Sequence, residues 1–569
     1  MTDETALDGG AAVLAAAADF GAEYIFSSAG SEWAPVWEAL ARRDAAGDSG
    51  PRYLDLTHET LAVAMATGYA TVTGRGQLVL LHAAAGLLQG ANAIHGALLT
   101  GVPMVVCSGE STGYGDGLGP DPGSQWYRNL SVVGGPQAVA APFTKWANAA
   151  ADVSVLYGMI KRAGELAAQP PAGPVYVNTP VEVLLAPWRP AAVGAAGRPA
   201  AAVAAASDIE VAVRLLASAQ RPVLVVESAG RDQAAFSALV SLAELLAIPV
   251  VEPQSAVCSN FPRSHALHAG GELGPLAADA DLVVLVGCRS PWYPPSAKAG
   301  DATVLVIDEV PHRPHMAYQV LTADHYVGGD TAATLRAITA RLHAWGFDEE
   351  AVGARRAQLA ASHAVADGKR LALESKALAA VDGPVDPVAL AVALRSLLPA
   401  DAVVVDETIT HSRVIAGHLM ASTPGRYRYV QGGLGQGLGV ALGAKLALED
   451  RLTVLTVGDG TWLYNPVPQG LMAAAQHGLP VLVVVFNNRK YLSMRFNLTR
   501  AYPSGAYVSA GSGYGVDLSA QPDAAAVASA CGAAGFTVHS TPELNPALEK
   551  AIECVRGGQT AVVNVMLTR

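Results

Sequence analysis

The sequence predicts an α/β protein built from three doubly wound parallel-sheet domains. Three observations predict it. Continuous apolar runs of strand length recur along the chain, Ala-rich stretches with helical character separate them, and two poorly periodic or charged segments divide the whole into three parts of similar size. Strands buried on both faces read as unbroken apolar runs, and strands alternating with helices imply parallel βαβ units.

The runs, in order, are Tyr24–Phe26, Leu78–Leu81, Val102–Cys107 and Val175–Val177, then Val223–Val226, Ile248–Val251, Leu282–Val286 and Val304–Ile307, then Ala402–Val405, Leu452–Val457 and Val481–Phe486. The stretch Pro187–Ala206, rich in Pro, Ala and Gly, reads as a linker. A charged, helical stretch through Ala351–Pro384 marks the second boundary. The expected domains are residues 1–186, 207–350 and 375–569, each near the common domain size.

Composition excludes several function classes. Hydrophobic residues are 51% and charged residues 15% of the chain, which fits a large buried core. A net charge of -12 without a basic cluster argues against nucleic-acid binding, which needs Lys/Arg patches on phosphates. Five scattered cysteines (Cys107, Cys258, Cys288, Cys531, Cys554) form no CxxC pair, so a reducing compartment is expected rather than a disulfide framework. The acidic Met1–Thr5 start lacks the basic flank of a secretory signal, and no apolar run is long enough to span a membrane. A cytoplasmic protein is the expectation.

The most informative motif is Gly458-Asp459-Gly460, followed 28 positions later by Asn488. It opens after the run Leu452–Val457 and closes after Val481–Phe486, with one helical segment expected between. An acidic and an amide side chain are thereby placed at the carboxyl ends of two parallel strands, where open α/β sheets bind ligands. A carboxylate, an amide oxygen and a glycine-bounded turn suit Mg²⁺ on a diphosphate. A second motif, Gly432–Gly439, is glycine-dense, as close backbone approach requires. It is not a dinucleotide fingerprint: G-x-G-x-x-G would place Gly at position 438, which is Leu438. A nicotinamide dehydrogenase is therefore not expected.

On these residues the chain resembles the thiamine-diphosphate-dependent decarboxylases and carboligases, whose signature is GDG, a spacer and NN. The resemblance implies three α/β domains, the first and last sharing a fold. It implies thiamine diphosphate and Mg²⁺ as cofactors, with Asp459, Asn488 and the carbonyl of Lys490 as metal ligands. Gly460 and Thr461 would lie at the diphosphate. So would Thr410 and His411, which open a helix after a strand, since helix starts bind phosphates.

The segment His58-Glu59-Thr60 before an Ala-rich helix, Leu61–Ala70, matches the family's first domain. By the resemblance Glu59 contacts the cofactor pyrimidine and promotes the tautomer that takes the thiazolium proton, a proton-transfer task suited to a buried carboxylate. Leu434 would prop the cofactor into a bent shape, with the Gly432 carbonyl holding its amino group.

Leu81-His82-Ala83-Ala84-Ala85-Gly86 follows the benzoylformate-decarboxylase-like pattern rather than the acetolactate-synthase-like one, so His82 resembles an active-site histidine. Ser31, after Gly30, resembles a substrate-carboxylate serine, although Ser27-Ser28-Ala29 departs from the subgroup's Asn-Pro-Gly. Phe496 and Tyr293 are further pocket candidates. The middle domain lacks the glycine-rich turns of FAD-binding relatives, so FAD is not expected.

The reading is a 2-oxo acid decarboxylase or carboligase acting as a homodimer or homotetramer, with Glu59 from one subunit and Asp459 from the other at each site. Acetolactate-synthase-like carboligation with FAD and a catalytically idle cofactor-binding scaffold are the alternatives.

Overall fold

The computed structural model describes residues 7–28, 30–113, 120–125, 131–190, 201–294, 300–314, 316 and 322–568. Part of the 187–206 linker and Pro295 of the Trp292–Pro295 loop lie outside them. Three parallel sheets, each flanked by helices, organise the chain.

The first sheet contains β1 (Tyr24–Ser28), β2 (Arg52–Asp55), β3 (Gln77–Leu81), β4 (Met104–Ser108), β5 (Ala147–Ala149) and β6 (Pro174–Asn178), in the order β2-β1-β3-β4-β6-β5. The middle sheet contains β7 (Pro222–Val226), β8 (Val250–Val251), β9 (Leu282–Val286), β10 (Thr303–Asp308) and β11 (His325–Gly328), in the order β11-β10-β9-β7-β8. The last contains β12 (Val403–Glu407), β13 (Tyr427–Tyr429), β14 (Thr453–Gly458), β15 (Leu482–Asn487), β16 (Ala534–Val538) and β17 (Ala561–Met566), in the order β13-β12-β14-β15-β17-β16.

The first and last sheets share one strand order. In all three the chain lays its second strand on one side of the first and its third strand on the other. Each sheet therefore has a switch point, between β1 and β3, β7 and β9, and β12 and β14. The crevice beyond the carboxyl ends of such a strand pair is where ligands bind. The central strands are buried throughout, as their apolar runs require.

Two details depart from the sequence reading. The span between Asp459 and Asn488 holds two helices, Asp459–Trp462 and Val467–Gln476, not one. Pro466 separates them, because proline offers no N–H to continue the first, and Pro468 sits in the first turn of the second, where its missing N–H costs nothing. The strand expected over Ile248–Val251 is only Val250–Val251, since Pro249 cannot donate to the ladder.

The first and last domains meet along two helices, Glu59–Thr73 and Gly437–Ala447. Glycines permit the approach. A Cβ at Gly68 would lie 2.1 Å from the Val440 carbonyl oxygen, and one at Gly443 would lie 1.9 Å from that of Met65. The helix Glu349–Ala379 connects the middle and last domains. Among the described residues no helix is long and apolar enough to cross a membrane. All five cysteines are free thiols.

Candidate active site

Two clusters of polar side chains occupy the switch points of the first and last sheets. In the first, β1 leads into Gly30-Ser31-Glu32 and β3 into His82. The Glu32 side chain is completely buried. Its oxygens lie 2.8 and 3.0 Å from His82 Nδ1, and one of them also accepts the backbone N–H of Ala83 at 2.8 Å. Position 30 has to be glycine, because a Cβ there would lie 1.8 Å from His82 Nδ1.

The hydrogen bond that His82 donates to the Glu32 carboxylate raises the His82 pKa, against burial, which pulls the other way. Nδ1 is the ring nitrogen that Glu32 engages. Ala83 sits at φ 47°, in the left-handed region that costs a non-glycine residue about 1–2 kcal/mol. The Glu32 carboxylate, which accepts the Ala83 N–H, holds the turn after His82 against that strain.

Ser31 is exposed, and its hydroxyl accepts from Gln125 Nε2 at 3.1 Å. Glu59 begins its helix and is half-buried. Its side chain passes over Gly86, where a Cβ would lie 3.2 Å from both Cγ and Oε1 of Glu59. His82 feels the charge of Glu59 as well as that of Glu32, so the three residues share one end of the sheet.

In the last sheet, Thr408–His411 follow β12, Gly458–Thr461 follow β14, and Asn487-Asn488 end β15. Asp459 is buried; one oxygen accepts the Gly460 N–H at 2.9 Å and the other accepts from Gln521 Nε2 at 3.1 Å. Burial raises its pKa despite these donors, and no Lys, Arg or His among the described residues pairs with it. Asn488 is also buried; its Oδ1 accepts the Lys490 N–H at 2.9 Å, and its Nδ2 lies 3.3 Å from His411 Nε2. Burial pushes the His411 pKa down to about 4, so the ring is neutral at pH 7. Thr410 is half-buried and Thr461 buried.

Gly460 cannot be replaced without movement, since its Cβ would lie 2.4 Å from the Tyr491 ring. Ile409 and Arg489 both take φ 56°. For a β-branched residue such as isoleucine this is real strain, and it lies in the loop that follows β12.

Among the described residues no group of three or more His, Cys, Asp or Glu side chains is arranged to hold a metal. The set present is of another kind: one buried carboxylate without a cation, one amide oxygen and one carbonyl. Those hard oxygens fit Mg²⁺ shared with a phosphate.

Several residues of the site were not apparent from the sequence. Glu32 is one, and Gln521, which donates to both Asp459 and Asn487 (3.1 and 2.8 Å), is another. The third is Glu407. Fully buried, it accepts the N–H groups of Gly435, Gln436 and Gly437 and Nδ2 of Asn465, all at 2.9–3.0 Å. It fixes the Gly432–Gly437 loop from beneath, and burial pushes its pKa up to about 7. The S/T-x-x-E patterns that flag a helix start do not reach a carboxylate 28 residues upstream.

The Leu434 carbonyl accepts from Asn92 Nδ2 at 3.2 Å, so the loop packs on the first domain of its own chain. Leu434 also lines a cleft of about 440 Å³ between these domains, with His58, Thr60 and Asn92 opposite. The hydrogen bonds given above for Glu32, His82 and Ser31 close within the first domain, and those of Asp459, Asn488 and His411 within the last. Phe496 is exposed on the helix Leu492–Ala501, and Tyr293 is exposed in the middle domain, 84% accessible.

Three family descriptions match the chain: "Thiamine pyrophosphate enzyme, N-terminal TPP binding domain" over residues 7–126, the central domain over 209–338, and the C-terminal TPP binding domain over 409–565. A Pseudomonas aeruginosa protein named "Probable 2-ketoarginine decarboxylase AruI" is 29% identical over 86% of this chain and 83% of its own. Benzoylformate decarboxylase of the same species is 28% identical over 78% and 80%. The Escherichia coli acetolactate synthase isozyme 3 large subunit is 27% identical over 98% and 94%. In fold, the chain is similar to a Rhodococcus jostii thiamine diphosphate-dependent 4-hydroxybenzoylformate decarboxylase, with TM-score 0.80 and 23% identity over 99% of both chains.

Proposed function

The chain belongs to the thiamine pyrophosphate enzymes, which make or break C–C bonds with that cofactor, and from this premise we propose that it decarboxylates 2-oxo acids or ligates the product to a second carbonyl, in the manner of benzoylformate decarboxylase. The observation that carries this reading is the Glu32–His82 pair at the first switch point, beside Ser31.

When bound, thiamine diphosphate supplies the electron-accepting ring that stabilises the carbanion left as CO₂ departs. The chain's residues bind, orient and move protons. Asp459, Asn488 and the Lys490 carbonyl would hold Mg²⁺, and Gly460, Thr461, Thr410 and neutral His411 would bind the diphosphate. The Gly432 carbonyl and Leu434 orient the pyrimidine, on a loop that Glu407 pins from below. Glu59 would hold the proton that the pyrimidine nitrogen takes up and returns. Ser31, with Gln125 bound to its hydroxyl, orients the substrate carboxylate, and His82 Nε2 moves the proton at the reacting carbon while Glu32 holds the ring.

From the family resemblance we infer that Glu59 of one copy and Asp459 of another meet at each site, giving a homodimer or homotetramer. An enzyme whose specific activity stays constant on dilution to the monomer would refute that.

The test is a panel of 2-oxo acids, aromatic, aliphatic and guanidino, mixed with protein loaded with Mg²⁺ and cofactor while CO₂ and aldehyde are followed. Release of both from at least one acid, lost in His82→Ala, is the expected result. No release from any acid would sink the reading. The acetolactate-type alternative is favoured by the 98% coverage in the Escherichia coli enzyme comparison; flavin bound to the purified protein and acyloin without aldehyde would establish it.

A further inference from the structure

A cavity of about 240 Å³ lies where all three domains meet. The first domain contributes Thr67, Thr71 and Thr100, the middle domain Arg231 and Cys258, and the last domain Arg428, Gln431 and Gln436. Its lining includes two arginines and no aspartate or glutamate.

Among the described residues neither arginine forms an ion pair, although Arg231 feels the charge of Glu227. Arg428 is 8% exposed, and its buried Nε and Nη1 have no hydrogen-bond partner. The Arg231 guanidinium makes no hydrogen bond or ion pair among the described residues; its Nη1 would lie 3.3 Å from a Cβ on Gly101. Both feel the Cys258 thiol, which places that side chain near each of them. Arg231 reaches the surface, whereas Arg428 is enclosed, and burial lowers the Arg428 pKa from its ordinary value.

A third arginine at the same junction shows what a structural arginine looks like here. Arg289 pairs with the buried Glu227 and also donates to the Leu99 carbonyl at 2.5 Å, the Ser255 carbonyl at 3.2 Å and Gln431 Oε1 at 2.7 Å. Buried charges are paired or bind ligands, because an isolated one is expensive. Guanidinium groups are suited to phosphate and carboxylate oxygens.

We propose that this junction is a binding site for a small oxyanion, a phosphate or a carboxylate, held between Arg231 of the middle domain and Arg428 of the last. The site is separate from the Asp459 crevice. Because its walls come from all three domains, an occupant ties them together.

The experiment uses the protein saturated with Mg²⁺ and thiamine diphosphate, so that its diphosphate site is filled. Inorganic phosphate, sulfate and acetate are titrated calorimetrically against chloride at matched ionic strength. Saturable binding of about one anion per chain is expected, weakened at least ~10-fold by Arg231→Met and by Arg428→Met. Binding of phosphate and sulfate alone identifies a phosphate-type ligand, whereas binding of acetate as well identifies a carboxylate. Without anion, Arg428→Met should unfold no earlier than the parent, since it removes an unpaired buried charge. If Arg428→Met does not fold, Arg231→Met, at a solvent-reachable position, decides alone. No heat beyond chloride, or binding untouched by the arginine substitutions, would overturn the proposal.

Discussion

The middle and last sheets place the ends of their strands alike and fill them differently. Beyond β7 and β9 the protein's own charges close part of the crevice, beside a cavity of about 250 Å³ that Ser228, Gly287, Arg289 and Asp308 line. Glu227, fully buried, takes the Arg289 guanidinium and the backbone N–H groups of Arg289 and Ser290. Beyond β12 and β14 lie a carboxylate with no cation, a neutral histidine and two glycines with no room for a side chain or little to spare. Topology alone therefore offers a site, and the local charge balance decides whether it is used. A crevice neutralised from within is a joint between domains, and one left unbalanced is a place for a ligand. The first sheet is intermediate: Glu32 balances His82, yet His82 stays partly accessible, at 28% of its side-chain surface.

Substitutions can break this comparison. The largest effect is expected at Glu59, where Gln should lower kcat by ~10²–10⁴-fold with cofactor affinity and unfolding temperature unchanged; an active variant would remove Glu59 from proton transfer. In the middle sheet, Arg289→Met should cost about 3–5 kcal/mol of unfolding free energy by stranding the Glu227 charge, and Arg289→Met with Glu227→Met should recover much of it. Denaturant melts report both, and a silent Arg289→Met would show that the crevice is not plugged as described. In the last sheet, Asp459→Asn should weaken Mg²⁺-dependent cofactor binding ~10–100-fold, read by tryptophan quenching, with little change in the melt of the unloaded protein. A melt that falls as far as that of Arg289→Met would erase the distinction between joint and ligand site.

The smallest effect sharpens the intermediate case. Because Glu32 raises the His82 pKa, the pair's stabilisation is complete below the ordinary histidine value and is lost as pH rises through the raised one. Glu32→Gln should move the His82 titration, followed by its ring proton resonances, to lower pH. An unmoved titration would mean that the carboxylate does not tune the ring.

The legible parts of the fold were those with local causes. Central strands such as β4, β9 and β14 are apolar because both faces are covered, and they stood out as runs. The edge strands β2 and β11 did not, because exposed positions such as Arg52 and His325 interrupt the pattern. β17 is central and buried, but Asn564 interrupts its run; that amide is there to accept from Asn487 Nδ2 at 3.0 Å. In the site, the GDG and NN segments were visible because each is a short turn at a strand end. Glu32, Glu407 and Gln521 were invisible because their partners lie 28 to 62 residues away.

The chain's own order of residues determined the three α/β units, the glycine turns, and the identity of the acidic, amide and imidazole groups at strand ends, since these follow from hydrophobic periodicity and backbone sterics within a few neighbours. Only the tertiary structure decided which of those groups are balanced: that Arg289 closes one crevice, that Asp459 is left without a cation in another, and that Arg231 and Arg428 face a common cavity. Charge compensation is a matter of distance in space, and distance along the chain does not encode it.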